Sequence, residues 1–260
     1  MTLSVLMITK NCADVVGEAL ESVKGLWSEL LVDDEGSTDG TREILRRFGA
    51  TIVASGKNGF GERKQNLVEK AKGDWILVLD ADERVSSELI YEIRRITNHH
   101  KIMHVHKNVI EKNGSPVVAY RIPYQNYVFG RPVYYGGEKY AKVRLFRRGR
   151  ARISPEAVHE EVVMKKGAVG ELKGKIHHHS YRTPTQLFRK FTSYAWIAAR
   201  QKSKAGERAT FQKLFLYGPH MFWVRFINDR GYRDGWRGLV LALAFAYMET
   251  LTYWILLWRK

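Results

Sequence analysis

An α/β fold is what this sequence predicts: a domain with a mostly parallel central sheet, followed by a helical extension. Three observations carry it. Short apolar runs alternate with helix-period segments through the first hundred residues, the βαβα order that builds a parallel sheet with helices on both faces. Clusters of carboxylates stand directly after two of those runs, where open α/β sheets bind their ligands. From about Thr185 the pattern is helical, basic and aromatic to the end.

Element by element, Leu3–Ile8 reads as a buried strand, and Val15, Val16, Ala19, Leu20 and Val23 then recur at helical spacing. Leu30–Val32 is a second strand, followed by the turn-rich GSTDG and a helix over Thr41–Phe48. Thr51–Ala54 is a third strand, and Glu62–Lys72 a helix stopped by Gly73. Trp75–Leu79 is a strongly apolar fourth strand. Ser86 and Ser87 offer a cap to the helix carrying Leu89, Ile90, Ile93 and Ile96.

Beyond residue 100 the rhythm changes. His104–Ile110 and Val117–Ile122 flank Asn113-Gly114, a hairpin signature, and Lys142–Phe146 reads as a further strand. The helical tail is expected to break near Gly218-Pro219 and again over Gly231–Gly238. Residues 1–180 are therefore expected to form the sheet domain and residues 181–260 the extension.

Composition narrows the function. At 260 residues and 45% hydrophobic the chain can bury a sizeable core, which excludes a wholly disordered protein. One cysteine, Cys12, excludes a disulfide scaffold and a thiolate metal cluster, and reads as a small buried residue. The opening LSVLMI run has neither a basic leader nor the length of a signal peptide, so none is expected. The formal charge of +16 is unevenly spread. Residues 1–100 hold 13 Lys/Arg against 17 Asp/Glu, residues 101–180 hold 16 against 6, and residues 181–260 hold 14 against 4. A basic back half calls for an anionic partner: nucleic acid, a membrane surface or a phosphorylated glycolipid.

Two carboxylate clusters carry the chemistry. In LVDDEGSTDGT, Asp33, Asp34 and Glu35 close the second strand; such acceptor-only groups suit a base N–H or ribose hydroxyls, while Ser37, Thr38 and Asp39 also suit simple helix capping. In WILVLDADE, Asp80 and Asp82 close the most apolar strand, two residues apart and so on the same side of it if the strand continues. Hard oxygen ligands at a sheet mouth suit Mg²⁺ or Mn²⁺ completed by a diphosphate. Acids near a helix N-terminus are the plainer alternative for the pair.

Together these motifs resemble the family 2 glycosyltransferases of the GT-A fold. GFGERKQN, GDWILVLDADERV, VRLFRR, AVHEEV and HHHSYRT further resemble the bacterial lipopolysaccharide core enzymes that add β-1,4-linked glucose to an inner-core heptose. The resemblance implies that Asp34 and Glu35 hold uracil or ribose, with Thr9 lining the base pocket. Glu35 departs from the commonest pattern of that family at its position. Lys64 is implied at the nucleotide, Asp80 at ribose or metal, and Asp82 as the direct metal ligand. The family's His-Glu pattern falls on His159 and Glu160, making Glu160 the base that takes the acceptor hydroxyl proton; Glu161 is its rival, since adjacent residues of an extended segment face opposite ways. Of His177, His178 and His179, the family's recurring histidine falls on His178, a third metal ligand or a hydrogen-bonding group at the rim.

The tail carries the last expectation. Leu239–Trp258 is a run of 20 residues whose one charge is Glu249, flanked by Arg237 and Arg259-Lys260. The run is long enough to span hydrocarbon, yet Glu249 near its middle and Tyr247, Thr250, Thr252 and Tyr253 weaken it. Peripheral or monotopic binding to an anionic leaflet is expected, at the cytoplasmic face of the bacterial inner membrane, with a core helix as the alternative. The expected partners are thus a UDP-sugar, a lipid-linked saccharide and that membrane surface. A dehydrogenase is disfavoured because TKNCADVVGEAL lacks a Gly-rich fingerprint, and no nucleic-acid-binding motif supports that class.

Overall fold

The computed structural model describes residues 1–54, 56, 59–97, 111–112, 115–155 and 161–258. The chain divides into two compact units, one of residues 1–124 and 141–178, the other of residues 125–140 and 179–260. The segment 125–140, which the sequence places with the sheet domain, clusters instead with the helical tail.

In the first unit, β1 (Leu3–Thr9), α1 (Ala13–Ser22), β2 (Glu29–Asp34), α2 (Thr41–Arg47), β3 (Thr51–Ile52), α3 (Phe60–Lys70) and β4 (Trp75–Val78) follow the alternation read from the sequence. After these come β5 (Glu83–Val85), α4 (Ser87–Thr97), β6 (Glu111–Lys112), β7 (Ser115–Val128), β8 (Arg131–Pro132) and β9 (Ala141–Arg147). The last strands are β10 (Ala151–Ile153), β11 (Val162–Met164), β12 (Ala168–Glu171) and β13 (Ile176–Tyr181).

The sheet order is β3-β2-β1-β4-β9-β7-β13-β5. Its first four strands pair in parallel, whereas β9 runs antiparallel to both β4 and β7. Register aligns Thr9 with Asp34 and Ile8 with Asp33, so β1 and β2 end level. The core beneath is Leu6, Leu31, Leu67, Ile76, Val78, Ala119 and Phe146, all buried. Ser86 caps α4 as expected, its hydroxyl accepting from the Leu89 N–H at 3.2 Å. Of the expected hairpin, Val117–Ile122 lies in β7, and Lys112 pairs with Ser115; His104–Ile110 and Asn113-Gly114 lie outside the described residues.

The second unit is built on α5 (Pro184–Lys204), α6 (Phe211–Trp223) and α7 (Trp236–Trp258). Thr183 and Thr210 cap α5 and α6, accepting from the N–H groups of Gln186 and Lys213. The break expected at Gly218-Pro219 does not occur: both residues lie inside α6. Gly218 is there for close approach, since a Cβ on it would stand 2.0 Å from Thr250 Oγ1 of α7. A π-helical turn, Val224–Asn228, follows Pro219 by one turn and ends the helix instead. The unit's core joins Val128, Val133, Leu187, Phe191, Leu241 and Ala244, with a second cluster of Ala195, Ala199, Leu214, Tyr253 and Leu256.

Candidate active site

The carboxyl ends of β2 and β4 carry the acidic residues singled out in the sequence, and Thr9 ends β1 between them. Asp34, the last residue of β2, has a side chain with 0% exposure. Its Oδ1 accepts from Thr9 Oγ1 at 2.8 Å and Ser37 Oγ at 2.5 Å, and its Oδ2 from Ser37 N at 3.0 Å and Arg42 Nε at 2.6 Å. Burial by itself raises the carboxyl, but the bonds from Ser37, Arg42 and Thr9 outweigh it and hold the group below its usual range. Asp34 and Thr9 thus come together, bonded to each other. Four donors already fill the carboxylate's acceptor sites, so Asp34 fixes the GSTDG turn, whose Gly40 takes a left-handed φ of 89°. A nucleotide held by Asp34 would have to replace one of those donors.

Glu35 points outward at 48% side-chain exposure, held by Lys10 Nζ at 2.8 Å and by Arg63. Arg63 is a residue the sequence reading missed. Its guanidinium is 4% exposed and forks onto Asp33, with Nε at 3.1 Å from Oδ2 and a terminal nitrogen at 3.0 Å from Oδ1. Its other terminal nitrogen reaches Glu35 Oε2 at 2.6 Å. One arginine from α3 therefore bridges the two acids that flank Asp34.

Asp80 lies just past β4, and the strand ends at Val78, earlier than the sequence suggests. Asp80 and Asp82 sit in a turn: the Asp80 carbonyl accepts from Glu83 N at 3.0 Å, and Asp80 N donates to Glu83 Oε2 at 2.9 Å. Strand alternation therefore does not govern the two acids, and each has its own partners. Asp80 lies between Lys64 Nζ, 2.8 Å from Oδ1, and an Arg144 terminal nitrogen, 2.9 Å from Oδ2. Burial works against its charge, yet the Lys64 and Arg144 cations overcome this and keep the carboxyl far below the ordinary range.

Behind Asp80 stands a buried cluster with no sequence signature. Glu83 Oε1 accepts from Tyr124 OH at 2.9 Å and lies 3.3 Å from Arg144, whose Nε donates to the same Tyr124 oxygen at 2.6 Å. Burial pushes the Tyr124 phenol well above its usual range, so it stays protonated and donates. Asp82 faces His178, with Oδ2 and Nε2 3.6 Å apart, wider than a hydrogen bond. His178 aligns with Glu83 across the β13–β5 pair, which places it. His177 aligns with Arg84 instead, and His179 stacks on Tyr127 at 4.4 Å.

Among the described residues no three His, Cys, Asp or Glu side chains gather as a ready metal site. The donors that do meet, a carboxylate oxygen of Asp82 and an imidazole nitrogen of His178, fit a small divalent ion whose remaining ligands are waters and a diphosphate. Asp80, expected at the metal, is engaged by its two cations. Glu160, with His159, lies outside the described residues. Its neighbour Glu161 is tied through its backbone to Ser154, in both directions, at 2.9 and 3.0 Å. Cys12 is excluded as a nucleophile near neutrality, since burial pushes its thiol up to about 11.

A cavity of about 270 Å³ adjoins this cluster, lined by Lys64, Arg121, Lys142, Arg144 and Glu161 over a floor of Val78, Val143 and Ile153. A larger one, about 350 Å³, lies between Asp74 and Arg147. It sits at the amino end of β4, where Trp75 pairs with Arg147.

A sheet whose parallel strands end in acids, one of them braced by buried cations, has its charged groups where open α/β sheets bind their ligands. The model of the family Glycosyl transferase family 2 matches residues 4–105. An uncharacterized glycosyltransferase of Rickettsia prowazekii is 26% identical over 265 residues, 96% of this chain and 84% of that protein. The lipopolysaccharide core biosynthesis glycosyltransferase LpsC of Rhizobium meliloti is 25% identical over 267 residues, 97% of this chain and 90% of that protein. Among solved structures, S. aureus TarS 1-349 aligns with a TM-score of 0.47 and 15% identity, over 99% of this chain and 90% of that one. Glucosyl-3-phosphoglycerate synthase of Mycobacterium tuberculosis, in complex with Mn²⁺, UDP and glucosyl-3-phosphoglycerate, aligns with a TM-score of 0.35 and 20% identity, over 48% and 44%. Residues 4–105 thus match the family 2 glycosyltransferases, and similarity to glycosyltransferases extends along nearly the whole chain.

Proposed function

We propose that this enzyme is an inverting hexosyltransferase that moves a hexose, glucose in first place, from a UDP-sugar to a lipid-linked saccharide such as the lipopolysaccharide inner core. The observation that carries the reading is Asp80, kept ionised between Lys64 and Arg144 beside the Asp82–His178 pair. LpsC, similar along nearly the whole chain, supports the acceptor class.

In this reading Thr9, Asp34 and Glu35 border the uridine, and Lys64 and Asp80 border the ribose and diphosphate. The acceptor hydroxyl attacks the anomeric carbon, the bond from that carbon to the diphosphate oxygen breaks, and its electron pair leaves with UDP. Glu160 takes the hydroxyl proton. Lys64 and Arg144 offset the negative charge that collects on the leaving diphosphate. Asp82 and His178 would hold a Mg²⁺ or Mn²⁺ ion, which would supply additional positive charge there; Asp80 could join them only by giving up Lys64 or Arg144.

The test is a thermal-shift and calorimetric titration with UDP, with Mn²⁺ and with EDTA, on the wild type and Asp82→Ala, followed by hydrolysis of a panel of UDP-sugars. UDP binding that needs the ion and is lost in Asp82→Ala, together with UDP-glucose as the preferred donor, is the expected result. Equal UDP affinity in EDTA overturns the metal part. Binding of another nucleotide in place of UDP overturns the donor.

A further inference from the structure

Helix α7 is the one helix among the described residues long and apolar enough to cross a membrane, and its two sides differ. Leu241, Ala244, Tyr253, Ile255 and Leu256 are buried against α5 and α6. On the other side Leu239, Leu243, Tyr247, Thr250, Trp254 and Trp258 are exposed. They recur at intervals of three and four, so they form one stripe, roughly 29 Å long at the helical rise. Leu243 and Trp254 are 51% and 50% exposed. Thr250 interrupts it with a hydroxyl set against Gly218 of α6, and the exposed apolar and aromatic residues on either side of it, Leu239, Leu243 and Tyr247 before and Trp254 and Trp258 after, mark an interaction site.

The surroundings of the stripe select its partner. Phe188 of α5 meets Tyr247 at 5.9 Å, and Thr192 bonds the Tyr247 hydroxyl at 3.0 Å, so α5 runs along one edge. That helix exposes Arg189, Arg200 and Lys204, and Arg208 follows it, also exposed. Residues 181–260 hold 14 Lys/Arg against 4 Asp/Glu. Cations beside an apolar, tryptophan-rich face match an anionic bilayer surface, where aromatic rings sit at headgroup level and each nearby cation contributes about 1 kcal/mol. A full crossing does not fit. It would carry α5 and α6, packed on α7, into hydrocarbon with their charges. Glu249 is half-buried near Lys202 and Glu207 rather than on the stripe, and burial raises its carboxyl.

We infer that the Leu239–Trp258 stripe of α7 lies flat in the interface of an anionic membrane, making the enzyme monotopic. The inference rests on the proposed function only for its purpose, delivery to a lipid-linked acceptor; membrane binding is measured with neither donor nor acceptor present, so the two fail separately. The experiment floats the full chain with vesicles of phosphatidylcholine, with and without phosphatidylglycerol, and compares the double variant L243E/W254E. Both side chains are exposed, and an unchanged melting temperature verifies the fold of the variant. Bromine-labelled lipid gives an independent readout on the wild type by quenching tryptophan.

Flotation that requires phosphatidylglycerol, weakens in high salt, quenches with brominated lipid and drops roughly tenfold or more in the double variant supports the inference. No flotation, or a double variant that floats like the wild type, overturns it. So does resistance to alkaline carbonate, the mark of a spanning helix. A dimer that the double variant dissociates, without flotation by the wild type, overturns it in favour of a second copy of this chain.

Discussion

Lys64 Nζ stands 2.8 Å from Asp80 Oδ1, with the lysine side chain only 3% exposed. A lysine so deeply buried persists as a cation only beside a compensating charge. Arg144 closes on the other carboxylate oxygen at 2.9 Å, so one anion is shared between two cations. Arg144 also lies 3.3 Å from Glu83, so two cations face two carboxylates, and Lys64 pairs with Asp80, the group a diphosphate would compete with. The arrangement is stable without ligand and electrostatically prepared for one.

The first prediction follows from the Lys64–Asp80 pair. Lys64→Met keeps the side-chain volume and removes the charge, leaving Asp80 with Arg144 alone. UDP affinity should fall by about tenfold to a hundredfold, the range of one charge-assisted hydrogen bond. Calorimetry with UDP and with uridine separates the causes: a loss confined to UDP places the lysine at the diphosphate. Unchanged UDP affinity shows that Lys64 serves Asp80 and nothing more.

The second concerns Arg63, whose fork onto Asp33 is almost wholly buried. Arg63→Met strands the Asp33 carboxylate in the interior, which costs about 3 kcal/mol or more. Denaturant unfolding should show this loss, and the double variant Arg63→Met with Asp33→Leu should recover much of it. Failure of the second substitution to recover stability means that the arginine is valued for its reach to Glu35.

Much of this site was legible in the sequence because strand-end acids announce themselves locally. Asp34 and Asp80 each follow an apolar run within a few residues, and the motif around each is continuous. Arg63, Glu83, Tyr124 and Arg144 carry no such signal, since they stand on α3, β5, β7 and β9 and their partners lie on other elements. Pairing over such separations is a property of topology and leaves no mark on neighbouring residues. β13 was missed for a related reason. Its IHHHSY is too polar to read as a buried strand, yet Ile176 and Ser180 are buried and the histidines between them are half-buried. Gly218-Pro219 misled in the other direction, because the glycine answers a helix contact invisible in one dimension.

A third prediction separates two neighbouring acids. Glu160→Gln should lower turnover by about 10² to 10⁴, the usual contribution of a general base, while leaving UDP affinity intact. Glu161 lines the cavity beside Lys64 and Arg144, so Glu161→Gln is the necessary partner experiment. Single-turnover transfer to a lipid-linked acceptor distinguishes them: a dead Glu161→Gln beside an active Glu160→Gln shifts the base by one residue. Activity in both variants removes the base from this segment.

The last prediction is a pH dependence in the helical unit, set by Glu207. Its carboxylate accepts from Lys213 at 2.9 Å, Lys202 at 3.1 Å and the Tyr253 hydroxyl at 2.9 Å, tying the α5–α6 connection to α7. The bonds from Lys213, and then those from Lys202 and Tyr253, bring its pKa from 4.5 down to about 2. The folded value lies below the unfolded one, so the unfolded chain takes up the proton first as pH falls. The stabilisation is therefore complete above about 4.5 and is lost as pH drops from there toward about 2. Because the carboxylate remains 30% exposed, solvent screening limits its worth to about 1 kcal/mol. Glu207→Gln should lower the melting temperature by about 2 °C at neutral pH. It should match the wild type at the acid end, where both carry a neutral side chain. Melting curves across that range decide the matter: a difference that persists unchanged at low pH would mean that Glu207 acts by packing and hydrogen bonding, and that its charge contributes nothing.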